Sequence, residues 1–102
     1  MNENLNSNYS FEFDKLRQKR VEVSTYKYGS ARENFGEGRV DALNTAILCI
    51  EKFKKSGNTE YLLDAANYLM FRYMYPMDGE VFKTTGSDES AGTVDTPVNM
   101  ER

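Results

Sequence analysis

The sequence predicts an all-α fold: an antiparallel helical hairpin with an N-terminal helix, a small bundle completed by oligomerisation, and an extended C-terminal tail. Three observations point there. Apolar residues recur at three- and four-residue spacing through three segments. The second and third of these are separated only by Gly57-Asn58, a turn so short that the two helices must run antiparallel. Both prolines and three of the seven glycines fall after residue 75, where the periodicity ends.

The first helix is expected from about Ser10 to Val23, with Phe13, Leu16, Arg20 and Val23 at helical spacing. Ser10 is its candidate N-cap, and Glu12 and Asp14 in the first turn suit the helix dipole. A connector follows from Thr25 to Gly38. Within it, Ser30-Ala31-Arg32-Glu33 fits a capping box that starts a short helical turn ending at Gly36.

The second helix is expected over Arg39 to Ser56. Val40, Leu43, Ile47, Ile50 and Lys54 lie near one line, with Ala46 and Phe53 widening the apolar face. Gly57 suits the position just past its end, and Asn58 the N-cap of the third helix. From Thr59 to Tyr75, Leu62, Ala66, Leu69 and Tyr73 form the matching stripe, and Pro76 stops it. These two stripes are the expected hairpin seam. Glu60, Asp64, Asn67 and Phe71 form a second face of the third helix, to be covered by the N-terminal helix or another subunit.

The organisation is thus a flexible N-terminus at 1–8, a helical domain at 9–75 and an extended or disordered tail at 76–102. Met77-Asp78-Gly79-Glu80 reads as a turn. The tail is either a disordered end or an arm that closes over a ligand or a neighbouring subunit. A domain of this size buries only about 60% of its surface, which makes self-association a natural remedy.

Composition narrows the function. At 102 residues, net charge −3 and pI near 5.0, the chain has no general attraction for nucleic acid. Lys15, Arg17, Lys19 and Arg20 cluster, but beside Glu12, Asp14 and Glu22 they read as a solvated helix face. With no histidine and one cysteine, there is no Ser-His-Asp or Cys-His arrangement, no internal disulfide and no Cys-x-x-Cys site. Cys49, within an apolar run, reads as a core residue. No apolar stretch reaches the ~20 residues needed to span a bilayer, and no signal-peptide pattern is visible, so a cytoplasmic protein without membrane partners is expected.

One pattern occurs twice. Glu37 to Asn44 and Glu60 to Asn67 both read Glu-x-x-x-Asp-Ala-x-Asn. Each copy places carboxylates and an amide along one helix face, a donor set suited to Mg²⁺ or Mn²⁺. In the hairpin, Asp41 lies roughly 15 Å along the axis from the level of Asp64, so within one chain the copies cannot share one ion, and they could do so only across a subunit interface. Height instead matches Glu51 with Glu60, Asp64 and Asn67, which become the candidate metal ligands.

The segment Tyr61-Leu62-Leu63-Asp64-Ala65-Ala66-Asn67-Tyr68 resembles the Asp-Ala/Val-Ala-Asn-Tyr segment of small, phage-type MazG-like nucleotide pyrophosphohydrolases. Lys27-Tyr28-Gly29, followed by Asn34-Phe35 and Gly38, is similar to the stretch before the core hairpin in phage relatives. The resemblance covers residues 26–75. It implies Mg²⁺-dependent cleavage of a nucleoside triphosphate by four carboxylates, at positions that fall here on Leu48, Glu51, Asp64 and Asn67. Two of those acids are replaced, one by Leu48, which cannot bind a metal. Catalytic residues are therefore unassigned and enzymatic activity is left open.

For a nucleotide, Lys27, Arg32 and Arg39 are the candidate phosphate contacts around Gly36-Glu37-Gly38, where the backbone leads into a helix N-terminus. Gly36 and Gly38 equally suit a tight backbone turn. Tyr28, with Tyr26 and Phe35, offers either a stacking surface for a base or a satellite core. The expected function is a nucleotide-binding, homo-oligomeric MazG-like protein. The alternative is a non-enzymatic phage or mobile-element accessory protein that binds a host protein or sequesters a signalling nucleotide.

Overall fold

Ser10 opens the first helix because its extended backbone turns the hydroxyl toward the free amide of Phe13, which donates to Oγ at 3.0 Å. The computed structural model in which this is seen describes residues 7–96, so the expectations for residues 1–6 and 97–102 lie outside the described residues. Helix α1 spans Phe11–Tyr28, beyond the expected end at Val23. Thr25, Tyr26 and Lys27 carry no helix breaker, and the chain leaves the helix only at Gly29, with φ 92°. Half of the capping box forms: the Glu33 amide donates to Ser30 Oγ at 3.2 Å, while the Glu33 carboxylate accepts from the Ser30 hydroxyl at 3.3 Å. The turn it opens, Arg32–Gly36, is wound wide, with π-type spacing.

Helix α2 spans Ala42–Ser56 and starts three residues later than expected. Asp41 explains the delay, because its carboxylate accepts from the Asn44 backbone amide at 3.0 Å and from Asn44 Nδ2 at 2.7 Å. The first Glu-x-x-x-Asp-Ala-x-Asn copy is thus a helix cap, and those amide donors hold the Asp41 carboxyl below its usual range. Gly57 closes α2 in the left-handed conformation, φ 71°, its amide donating to the Phe53 carbonyl at 2.7 Å. Asn58 Oδ1 accepts from the Glu60 amide at 3.0 Å, and α3 runs Glu60–Met74.

The fold is all-helical: α2 and α3 form the antiparallel hairpin and α1 packs on α3. The seam, however, is not the expected one. Ala42, Ala46 and Cys49 of α2 and Ala65 of α3 are buried, with Ala46 completely enclosed. The large apolar stripes lie outside: Leu43, Ile47 and Ile50 are 38–46% exposed, Leu62 and Leu69 37% and 47%, and Tyr73 74%. Small side chains let two helices approach closely, so the alanine line wins the contact and rotates the leucines and isoleucines away. Among the described residues no large side chain is fully buried.

The other side of α3 is covered by α1, as the Phe71 line suggested, but by polar contacts. Asn67 is buried and donates to the Arg17 carbonyl at 3.0 Å, while Arg17 Nη1 lies 3.3 Å from Met70 Sδ. Arginines 17 and 20, read as a solvated face, are what α1 presents to α3. Leu16 and Val23, expected inside, are 43% and 51% exposed.

Beyond α3, the Met77–Glu80 turn is pinned back onto the helix. Glu80 accepts from Arg72 Nε at 2.8 Å and Nη2 at 2.7 Å, and from the Met77 amide at 3.0 Å. The chain then runs exposed and irregular to residue 96, broken by the single turn Ser87–Glu89. No helix among the described residues is long and apolar enough to cross a membrane.

Candidate functional site

Because α1 touches α3 through long arginine side chains, the two helices stand apart where those side chains end. The gap is a groove of about 700 Å³. Its α1 wall carries Leu16, Lys19, Arg20, Val23, Lys27 and Tyr28. Glu60, Leu63, Asp64, Asn67, Tyr68 and Phe71 supply the α3 wall, and Phe35 closes it from the connector.

At its floor, Arg20 grips Asp64 with both arms of the guanidinium, Nε to Oδ1 at 2.6 Å and Nη2 to Oδ2 at 3.1 Å. A third nitrogen, Nη1, reaches Glu60 Oε2 at 3.2 Å. Planar, paired hydrogen bonds of this kind are strong and directional, and the Asp64 carboxylate in turn holds Arg20 above its ordinary range. The aromatic end is ordered too. Phe35 stacks on Phe71 with ring centroids 4.4 Å apart, and Tyr68 meets Phe35 edge-on at 5.9 Å. Burial pushes the Tyr68 phenol up from its usual value, with smaller contributions from Cys49 and Asp64.

Five of the eight candidate ligand-binding residues meet here: Glu60, Asp64, Asn67, Lys27 and Tyr28. Three do not line the groove. Glu51 is exposed on α2, Arg39 is exposed and paired with Glu37 at 3.2 Å, and Arg32 lies in the wide turn, its side chain near Gly36. The sequence places Phe71 on this covered face, whereas Lys19, Arg20 and Tyr68 went unselected as ligand contacts. The signal for Tyr68 was spacing, since Asp64, Asn67, Tyr68 and Phe71 share one flank of α3 at three- and four-residue steps; Lys19 and Arg20 read as a solvated face of α1.

The candidate cation ligands, as placed, do not fit a divalent metal. Asp64 and Glu60 are both engaged by Arg20, and Asn67 by the α1 backbone. Among the described residues no three Asp, Glu or Cys side chains gather as metal ligands would. Cys49 is buried in the helix seam, where burial pushes its thiol up and away from nucleophilic use.

The groove instead offers charge and stacking. Lys19 and Lys27 form no ion pair among the described residues, so with Arg20 they outnumber the two carboxylates by one. Compared with known proteins, the chain matches no family model, no curated protein and no solved structure.

Proposed function

We propose that this chain binds a small anionic ligand of the nucleotide class in the α1–α3 groove. The observation that supports the reading best is the groove's composition: about 700 Å³ of concave space, aromatic at one end, with Lys19 and Lys27 on its α1 wall. Small-molecule sites commonly have such volumes, largely apolar linings and a few placed polar groups. A base would lie against Tyr28 and Tyr68, and phosphates would draw on the two lysines. Arg20, neutralised by Asp64 and Glu60, would set the floor instead of meeting the anion.

The same contacts favour binding without metal-dependent cleavage. Mg²⁺- or Mn²⁺-dependent pyrophosphohydrolysis, the activity that the MazG-like resemblance implies, would require Arg20 to release Asp64. Thermal-shift measurements on the full chain with a panel of nucleoside mono-, di- and triphosphates test the binding. At 100 times its Kd, a ligand should stabilise the protein by about 2.7 kcal/mol, and Lys27→Ala should weaken that effect. A melt that no nucleotide moves would sink the reading. Pyrophosphate release assayed alongside, with and without Mg²⁺, separates binding from hydrolysis.

A second reading, the phage or mobile-element accessory protein that binds a host protein, is favoured by one feature. Met77, Val81 and Phe82 are 63–77% exposed on the irregular segment that Arg72 and Glu80 anchor. An anchored, apolar, irregular segment can order on a partner. Amide-exchange protection confined to residues 81–85 in cell extract would favour this reading over the groove.

A further inference from the structure

The exposed apolar stripes of α2 (Leu43, Ile47, Ile50) and α3 (Leu62, Leu69, Tyr73) lie together on the side of the hairpin opposite α1, whereas Leu48 lies on the other flank of α2 and Leu63, Tyr68 and Phe71 line the groove. At about 100° per residue, Leu43, Ile47 and Ile50 sit about a quarter-turn from the alanine seam of α2. Leu62, Ala66, Leu69 and Tyr73 sit a quarter-turn from the seam of α3. Because the helices are antiparallel, the two rotations bring both stripes to the same side. Lys54 lies on this face at the turn end, and Glu51 flanks it beside Ile47.

We propose that a second copy of this chain covers this face, each α2 lying on the partner's α3, to make a four-helix bundle about a two-fold axis parallel to the helices. The inference is independent of the ligand reading. Three observations carry it.

The first is the thin interior: Phe71 is the one large apolar side chain buried among the described residues, and a single copy leaves both Leu/Ile stripes of the hairpin more than a third exposed. The second is area. The exposed parts of Leu43, Ile47, Ile50, Leu62, Leu69 and Tyr73 amount to roughly 500 Å², and flanking Ala66 and Lys54 extend the footprint toward the value of about 800 Å² per partner of a stable interface. The third is register. Counting outward from the Gly57 turn, Leu62 falls in height between Lys54 and Ile50, Ala66 between Ile50 and Ile47, and Leu69 between Ile47 and Leu43.

A two-fold axis along the helices preserves those heights. Each side chain of α3 therefore meets a gap on the partner's α2, as knobs meet holes. All nearest-neighbour helices are then antiparallel.

Sedimentation equilibrium on the full chain across micromolar concentrations tests the pairing. The expected mass is twice 11.7 kDa, and Leu69→Glu should return it to the single-chain value with helical circular dichroism retained. Should that variant lose its helicity, oxidation of a mixture of Ile47→Cys and Leu69→Cys proteins decides instead. It should yield a disulfide-linked pair, with none when Lys52→Cys replaces Ile47→Cys. A native chain that stays at 11.7 kDa, whether because the tail folds over the face or another protein covers it, overturns the proposal. So does a dimer whose mass survives Leu69→Glu, or a cysteine mixture that does not cross-link.

Discussion

Ala46→Leu is the sharpest test of the hairpin. Ala46 has no exposed surface and lies on the line that meets α3, flanked one turn either way by buried Ala42 and Cys49. Leucine adds three carbon atoms where the opposing helix leaves no space, so the helices must separate or the side chain must leave its preferred rotamers. Overpacking of this kind costs about 2 to 3 kcal/mol at an enclosed position. Helix propensity contributes little, since alanine and leucine both stand near the top of the scale.

For a domain of this size, about 2 to 3 kcal/mol corresponds to a fall in Tm of roughly 10–20 °C. Lys52→Leu is the control, placing the same side chain on an exposed position of the same helix, where about 0.5 kcal/mol or less is expected. Thermal melts followed by circular dichroism compare the two. If Ala46→Leu melts within a few degrees of Lys52→Leu, the alanines do not form the seam. The Leu43/Ile47/Ile50 stripe would then turn inward, and the open face would disappear with it.

Three further outcomes are expected. Arg20→Gln removes the paired contact to Asp64 and the reach to Glu60 and should cost about 1–2 kcal/mol, read as a lower urea midpoint; an unchanged midpoint would mean that the pair is fully solvated in solution. Gly57→Ala forces a Cβ into the left-handed conformation at φ 71° and should cost about 1 kcal/mol in the same assay, with Gly57→Asn costing less. Arg72, with the Met77 amide, holds the Glu80 carboxyl down to about 2 from its ordinary 4.5. Its folded value lies below its unfolded one, so its stabilisation of the Met77–Glu80 turn is complete above pH 4.5 and is lost as pH falls toward 2. The Met77 amide resonance should shift across that window, and a signal that stays constant there would show the turn to be independent of Glu80.

Helix ends were legible where the expected cap was a local one, whereas the end of α1 at Tyr28 and the start of α2 at Ala42 were missed by five and three residues. Ser10, Gly57 and Asn58 announce their roles to neighbours within a few residues. The seam was not, because hydrophobic periodicity weights residues by size. It ranks Leu43, Ile47 and Ile50 above Ala42, Ala46 and Cys49, whereas close helix approach rewards the small ones. Nor was the mode of docking of α1, since Arg20 and Asp64 are 44 positions apart. Read along the chain, Arg20 has acidic neighbours enough to look solvated. The site shows the same division: Glu60, Asp64 and Asn67 were placed on one covered face, but which side chain would meet them was decided by the packing of α1. That partner is Arg20, which the face accepts in place of Glu51 and a cation.

The two proposed surfaces use opposite sides of α3, and this makes them separable. Asp64 lies about 160° around the helix from the Leu62/Ala66 stripe, so a partner seated on that stripe leaves the groove open. Leu69→Glu should therefore abolish pairing while the nucleotide-induced thermal shift persists, and Lys27→Ala should weaken the shift while the mass stays at two chains. If Leu69→Glu removed both in a protein that kept its helicity, groove and face would be one coupled system. The physical link would be the spacing of α2 and α3 at buried Ala65, since a change there moves Asp64 and Ala66 together.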